Sequence, residues 1–396
     1  MTGRSEYFVE VGFDQVGKSG QQAYGDVFVS HKDGNAERTV CVLADGLGSG
    51  VKANVLATLT ATMAAKYVQS DIDIRRAAEI IMSTLPVCSK RKIAYSTFSI
   101  VDIHPGGEVQ LIEYENPAAT LLRDGEIRNV DSRSFEIDTP SLGPRTLSFR
   151  RFSVRCGDRI VISSDGVNQA GIGKDGTPLG WGDHAVSRYV QETVQARPEM
   201  SARELARSVV GRALGHDDHR AKDDISCVVL NFRKPRPLLV LSGPPIEKKR
   251  DAELAEVFES FEGSRIVCGG TTANIISREL KRELRIQLDS FDSHVPPASE
   301  MEGADLVAEG TVTLNRVACI LESGDPPERM QPDAATRLAR ALLDSDEIEF
   351  VVGTKINQAH QDPNLPVELD IRRNLVKRIL NTLNEKYLKR ATLRFI

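Results

Sequence analysis

Asp45 closes a run of small apolar residues, Val40-Cys41-Val42-Leu43-Ala44, and three glycines follow it within five positions, Gly46-Leu47-Gly48-Ser49-Gly50. The run predicts a buried strand that ends on the carboxylate, then a turn into a helix. A carboxylate at the lip of a buried strand is costly to leave unpaired, because desolvation disfavours its charged form. No Lys or Arg lies between Val40 and Val51 to neutralise it. A hard divalent cation would do so with oxygen ligands, and the glycines would let a backbone carbonyl join the shell. The alternative is a buried aspartate capping the next helix.

Three further acidic motifs sit at predicted strand ends. Gly25-Asp26 opens a strand, Ser163-Ser164-Asp165-Gly166 closes one, and Asp223-Asp224 immediately precedes another. If these ends converge, the carboxylates cannot all stay ionised without cations, since each like charge raises its neighbour's pKa. Two divalent ions bridged by one carboxylate would satisfy them. A water between such ions has its pKa lowered towards neutrality, which suits hydrolysis of a phosphoester. Direct attack by metal-bound hydroxide would need no Cys, His or Ser nucleophile, and none occurs with a fitting base beside it.

The elements that must position these acids read as blocks. Strands are predicted at 7–13, 25–31 and 39–44, the last two joined by the polar turn Lys32-Asp33-Gly34-Asn35. Helices follow at 53–68 and 73–85, the second stopped by Pro86. Short strands at 96–103, 107–115, 119–123, 126–129, 147–154 and 159–164 come next, then a glycine-rich loop at 171–182. Helices at 183–195 and 201–214 precede a strand at 225–232, and Ser201 with Glu204 forms a capping box. Blocks of strands alternating with pairs of helices argue for an α+β sandwich of antiparallel sheets covered by helices, not a doubly wound sheet.

With Gly25-Asp26, Ala44-Asp45-Gly46-Leu47-Gly48-Ser49-Gly50, Ser163-Ser164-Asp165-Gly166-Val167 and Lys222-Asp223-Asp224-Ile225-Ser226 in this order, residues 7–233 resemble the PPM (PP2C-type) metal-dependent serine/threonine phosphatases, in their bacterial SpoIIE-like branch. The resemblance implies a central β-sandwich flanked by helix pairs. It implies that Asp45 bridges two Mn²⁺ or Mg²⁺ ions with the Gly46 carbonyl as a further ligand. Asp26 would hold one ion, Asp165 and Asp223 the other, and catalysis would depend on Asp45 and Asp165 through attack by metal-bound hydroxide. Asp224 stands where many relatives have Asn and is expected behind the ligands. Eukaryotic members hold the substrate phosphate with an arginine; no equivalent is placed in this sequence, though Lys18 lies in the loop before Asp26. The implied partner is a phosphorylated signalling protein of the anti-anti-sigma type. The alternative function is a catalytically silent module that binds or scaffolds a phosphoprotein.

Composition fits this picture. The 396 residues suffice for two domains, 40% are hydrophobic and 27% charged, and the net charge of −5 argues for neither a nucleic-acid nor a membrane partner. Met1 to Glu10 carries no apolar run and no stretch approaches a membrane span, so a cytoplasmic protein is expected. Six scattered cysteines, at 41, 88, 156, 227, 268 and 319, read as reduced core residues. His216-Asp217-Asp218-His219 reads as a solvated loop rather than a zinc site.

Lys234-Pro235-Arg236-Pro237 reads as a linker, dividing a phosphatase-like domain at 1–233 from a second domain at 238–396. There strands at 238–242, 265–268 and 348–352 alternate with helices at 247–261, 271–284 and 367–388, predicting a smaller α/β domain of regulatory or partner-binding role. The broad apolar face of 367–388 predicts internal packing or a homodimer contact. Backbone amides of Val267-Cys268-Gly269-Gly270-Thr271-Thr272-Ala273 could cradle an anion, and a further possibility is that this half is itself an enzyme on a nucleotide-like ligand. A tight turn with Thr271 or Thr272 as N-cap is the preferred reading.

Overall fold

The computed structural model describes residues 7–33, 38–84, 96–139, 143–286, 298–325, 327, 330–354 and 368–396. The turn residues Gly34 and Asn35, the helix stop at Pro86, and Cys88 lie outside them. The chain divides into two compact units, Met1–Lys234 and Pro235–Ile396.

In the first unit the order is β1 (Phe8–Val16), β2 (Asp26–Lys32), β3 (Thr39–Gly46), α1 (Val51–Gln69), α2 (Ile74–Thr84), β4 (Ser96–Ile103), β5 (Glu108–Tyr114), β6 (Thr120–Arg123), β7 (Glu126–Arg128), β8 (Arg133–Thr139), β9 (Gly143–Ser153), β10 (Arg159–Ser163), α3 (Asp165–Asn168), α4 (Asp183–Ala196), α5 (Ala202–His216) and β11 (Ile225–Arg233). They form two antiparallel sheets, ordered β1-β11-β10-β6-β7 and β2-β3-β4-β5-β9-β8. The fold class is α+β, as the sequence predicts.

Alternation along β3 shows how the layers assemble. Cys41 and Leu43 join Val101, Leu111, Ile160 and Val228 between the sheets, while Val40, Val42 and Ala44 pack outward against α1 and α2. A strand buried on both faces reads as continuous apolar sequence, which is why Val40–Ala44 carries no alternation. The other sheet carries α4 and α5 in the same way, through Val190, Leu205, Val209 and Val229. The face of α1 against the sheet is alanine, at positions 53, 57, 61 and 64, all fully buried. Small side chains let helix and sheet backbones approach closely.

In the second unit the order is β12 (Pro237–Ser242), α6 (Asp251–Ser260), β13 (Ser264–Cys268), α7 (Gly270–Leu280), β14 (Leu284–Ile286), β15 (Ser299–Met301), β16 (Leu306–Ala308), α8 (Thr311–Ser323), α9 (Ala334–Asp344), β17 (Glu347–Val352), α10 (Glu368–Glu385) and β18 (Arg390–Phe395). The sheet runs β14-β15-β16-β13-β12-β17-β18, with β16, β13, β12, β17 and β18 all parallel. One face packs against α8, α9 and α10, the other against α6 and α7.

Several expectations are corrected. The helix expected over 247–261 splits into a 3-10 turn at Lys248–Arg250 and α6. The helix expected over 271–284 ends at Leu280, because Lys281 turns left-handed (φ 55°) and Leu284 enters a strand. Of the two alternatives for the last helix, internal packing is realised: Val376, Ile379 and Leu383 are fully buried in their own unit. Cys156 and Cys319 are exposed rather than core residues, while Cys41, Cys227 and Cys268 are buried as free thiols. Asp217 is buried rather than solvated: its carboxylate accepts the amides of Gly171 and Lys222. Among the described residues no helix is long and apolar enough to cross a membrane.

Candidate active site

Asp26 and Asp45 are cross-strand partners at the open end of the β2–β3 pair. Directly opposite residues on antiparallel strands lie about 4.5–5.5 Å apart at Cα, so backbone register alone brings two carboxylates together. The Gly46 amide donates to the Gly25 carbonyl at 3.1 Å, extending the pair by one bond. Gly46 itself is dictated by packing. A Cβ there would lie 2.1 Å from the Ala53 carbonyl oxygen, so only glycine lets the first turn of α1 settle on the strand end. Asp45 does not cap that helix. Gly50 is its N-cap residue and supplies no capping side chain.

The second sheet delivers the other acids. β10 pairs with β11 up to Ser163 opposite Cys227. Ser164 continues the pairing, donating its amide to the Ser226 carbonyl at 3.0 Å and accepting the Ser226 amide on its hydroxyl at 3.1 Å. This double link holds the chain as it leaves the strand, so that Asp165 starts α3 beside the Asp223-Asp224 segment. A Cβ on Gly166 would lie 2.1 Å from the Asp224 carbonyl oxygen, which makes glycine obligatory after Asp165. The Gln169 amide donates to Asp165 Oδ2 at 2.9 Å and orients that carboxylate.

Asp224 is 4% exposed and ties the two sheets' edges together. Its Oδ1 accepts the Lys18 amide at 3.0 Å and its Oδ2 the Gly25 amide at 2.9 Å. Its oxygens are thereby committed to backbone amides. Its neighbour Asp223 points elsewhere, with Oδ1 accepting the Asp224 amide at 3.0 Å and lying 3.6 Å from Lys18 Nζ.

Electrostatics show that Asp26, Asp45, Asp165 and Asp223 form one cluster. Burial pushes Asp45 up to about 10, reinforced by the charges of Asp26, Asp165 and Asp223. Burial likewise pushes Asp26 up to about 7, with Asp224 and Asp165 adding to it and the polar Ser164 and Ser226 opposing it. Asp165 is raised by burial and by Asp223. Both carboxylate oxygens of Asp26 are buried and receive no hydrogen bond of good geometry, with the Ser164 and Ser226 hydroxyls near enough only to oppose the rise in its pKa. Buried acceptors without donors are costly, and oxygen-only donors suit hard divalent cations. Among the described residues no three such side chains close tightly enough to make a ready-formed metal cage. The donor chemistry and the orphaned Asp26 oxygens nonetheless fit divalent ions.

All five residues named from sequence, Asp26, Asp45, Gly46, Asp165 and Asp223, thus lie at the converging strand ends. Residues that sequence reasoning passed over are Thr97, opposite Asp45 on β4, and Asn116, whose Oδ1 accepts the Thr97 hydroxyl at 2.5 Å. Nothing in their local sequence marks them: Thr97 comes opposite Asp45 only through strand pairing, and Asn116 is tied in only through Thr97.

Residues 35–233 match the family model described as Stage II sporulation protein E (SpoIIE). No curated protein matches the chain. Among solved structures, the PP2C phosphatase domain of SpoIIE from Bacillus subtilis, with a fragment of its regulatory domain, is 18% identical with a TM-score of 0.47, over 58% of this chain. This chain spans 65% of that structure's length. The RsbU and RsbW domains of Rv1364c from Mycobacterium tuberculosis are 17% identical with a TM-score of 0.47, over 64% of this chain and 68% of theirs. The S. agalactiae serine/threonine phosphatase is 14% identical with a TM-score of 0.42, over 57% of this chain and 99% of its own.

Proposed function

The chain belongs to the SpoIIE family of PP2C-type phosphatases through residues 35–233, and from that premise we propose that it is a metal-dependent serine/threonine protein phosphatase acting on a phosphorylated signalling protein. The observation that carries the reading is the pairing of Asp26 with Asp45, with Asp165 and Asp223 close enough to raise the Asp45 pKa. In this reading the carboxylates of Asp26, Asp45, Asp165 and Asp223, with the Gly46 carbonyl, would hold divalent ions, Mn²⁺ or Mg²⁺. When bound, the ions supply a water whose pKa is lowered towards neutrality and positive charge for the phosphoryl oxygens.

The chain's own groups do the rest. Gln169 keeps the Asp165 carboxylate oriented, and Asp224 fixes the backbone on which Asp26 is mounted. Lys18 Nζ, 3.6 Å from Asp223, is the cation nearest to hand for a substrate phosphate among the groups described above. The partner proposed is a phosphoprotein of the anti-anti-sigma type. The second unit is proposed as the regulatory domain of a cytoplasmic protein in which free thiols such as Cys41 and Cys227 stay reduced.

The test is hydrolysis of an aryl phosphate by the full chain with and without Mn²⁺, beside Asp165→Ala. Turnover that requires Mn²⁺ and is lost in the variant is expected. Turnover without divalent ions, or surviving the substitution, would overturn the assignment. A phosphoprotein captured but never dephosphorylated would instead favour the binding-module reading.

A further inference from the structure

In the second unit the chain moves outward from β12 to β13 and β16, then returns to the other side of β12 to form β17 and β18. The direction reverses between β12 and β17. In doubly wound parallel sheets, the strand ends around such a reversal form a crevice in which ligands bind. Here four parallel strands run at their carboxyl ends into glycine turns: Ser242-Gly243, Cys268-Gly269-Gly270, Ala308-Glu309-Gly310 and Val352-Gly353.

Two of these turns start helices. Gly269 precedes α7 and Gly310 precedes α8, and neither helix has a capping side chain. The expected cap from Thr271 or Thr272 is not made. The Thr272 hydroxyl instead accepts the Gly243 amide at 2.9 Å, drawing the β12 turn against α7. The two helix starts meet: a Cβ on Gly310 would lie 3.7 Å from the Gly269 Cα, and the Gly269 amide donates to the Ala308 carbonyl at 2.7 Å. First-turn amides and the positive ends of two helix dipoles therefore face one place. The Arg372 guanidinium lies against Gly243, its Nη1 2.5 Å from where a Cβ would stand.

A separate observation points to a ligand at this edge. The hydroxyls of Ser242 and Thr313 are both fully buried and have no hydrogen-bond partner. Ser242 ends β12 between Cys268 and Val352, and strand alternation puts it on the face of Leu238 and Val240, beneath α8 to α10. Thr313 sits in the first turn of α8 and is buried against that same face. Two orphaned hydroxyls at the carboxyl edge beside an uncapped helix start have no structural account within the unit. They suit an oxygen-rich group entering between the turns. Glu309 sets the character of that group. Its Oε1 lies 3.7 Å from where a Gly270 Cβ would stand, so it would repel a bare anion and accept from a hydroxyl.

We infer that the carboxyl edge of this sheet binds a phosphate ester bearing free hydroxyls, a nucleotide or a sugar phosphate. Its phosphate rests on the first-turn amides of α7 and α8 near Arg372, and a hydroxyl reaches Glu309. Two substitutions probe this without disturbing the fold. Gly270 does not sit at a positive φ, and a Cβ there would meet only the Glu309 carboxylate at an ordinary 3.7 Å, while an acid in the first turn of a helix is favourable. Thr271 is exposed. Gly270→Asp and Thr271→Glu should therefore fold normally, which circular dichroism and unliganded melting would verify, while placing a carboxylate where the phosphate sits.

The experiment is calorimetric titration of the full chain in divalent-free buffer with AMP, ribose 5-phosphate and inorganic phosphate. Expected is saturable binding of AMP or ribose 5-phosphate, about tenfold or more tighter than inorganic phosphate, and weakened about tenfold or more by each variant. Stronger binding of AMP identifies a nucleotide site, and stronger binding of ribose 5-phosphate a sugar-phosphate site. No saturable binding of any of the three overturns the inference. So does equal affinity for phosphate and the esters, or binding unchanged in both variants.

Discussion

Asp224 accepts the Gly25 amide at 2.9 Å, and so a residue at the start of the last strand of the first unit fixes the backbone one position before Asp26. Asp26 is thereby placed by an interaction spanning 199 positions of sequence. Asp224→Ala would leave the Lys18 and Gly25 amides without their acceptor, at roughly 1–3 kcal/mol of stability. It is also expected to weaken Mn²⁺ binding about 10- to 100-fold, as loss of a group supporting metal ligands does. Asp224→Asn keeps an acceptor and should fall between wild type and alanine. Calorimetric titration with Mn²⁺ and thermal melting check both.

The acidic cluster should make stability fall as pH rises when divalent ions are chelated. Asp26 and Asp45 are raised to about 7 and about 10, against ordinary carboxylate values near 4. Between those limits the unfolded chain has released protons that the folded chain retains, so stability declines with rising pH. The melting temperature with chelator should drop from about pH 5 towards about pH 9, and added Mn²⁺ should restore more of it at the alkaline end.

Asp45→Asn removes the charge that burial opposes most. The chelated variant should be more stable than wild type at about pH 8, by of the order of 1–3 kcal/mol, with a flatter dependence on pH. Mn²⁺-dependent hydrolysis should be lost in the same protein. A variant less stable than wild type at every pH would contradict the electrostatic account of the site.

Gly46→Ala tests the close approach of α1. The new methyl would meet the Ala53 carbonyl at 2.1 Å, a backbone atom that can move only with the helix. Destabilisation of about 1–3 kcal/mol is expected from such overpacking, together with weaker Mn²⁺ binding because Asp45 moves with the strand end. Denaturant unfolding and metal titration report the two effects separately.

Thiol chemistry should sort the cysteines by burial. Cys156 and Cys319 are exposed and should label quickly in the native protein. Burial pushes the thiols of Cys41 and Cys268 up to about 12 and raises that of Cys227 as well, so these should stay unlabelled until unfolding. Peptide mapping by mass spectrometry after a brief pulse of a maleimide distinguishes the two classes.

Much of the first unit was legible in the sequence because its signals are local. An apolar run ending in Asp-Gly marks a buried strand with an acid at its lip wherever it occurs. Two such acids, Asp45 and Asp165, with Asp26 opening β2 and Asp223-Asp224 before β11, name the cluster before any contact is known. The capping box of Ser201 and Glu204 was readable for the same reason, since both bonds lie within three residues. Strand β8 was not read, because it forms only by pairing with β9; helices α8 and α9 were passed over as well, although α9 carries a local capping box between Asp333 and Thr336.

What the sequence by itself determined is the set of acidic residues and the strand ends that carry them, since residue type and short-range pattern suffice for both. Only the tertiary structure decided which contacts each acid makes. Asp223 and Asp224 are adjacent and chemically identical, yet cross-sheet hydrogen bonds bind Asp224 to the backbone at Lys18 and Gly25 and leave Asp223 among the cluster. The same holds at Gly269. Its sequence reads as a tight turn with a threonine cap, but Thr272 bonds the amide of Gly243 on a neighbouring strand and leaves the helix start open. In both places a long-range hydrogen bond takes up a polar group whose local options were equivalent, and that choice exists only once the strands have met.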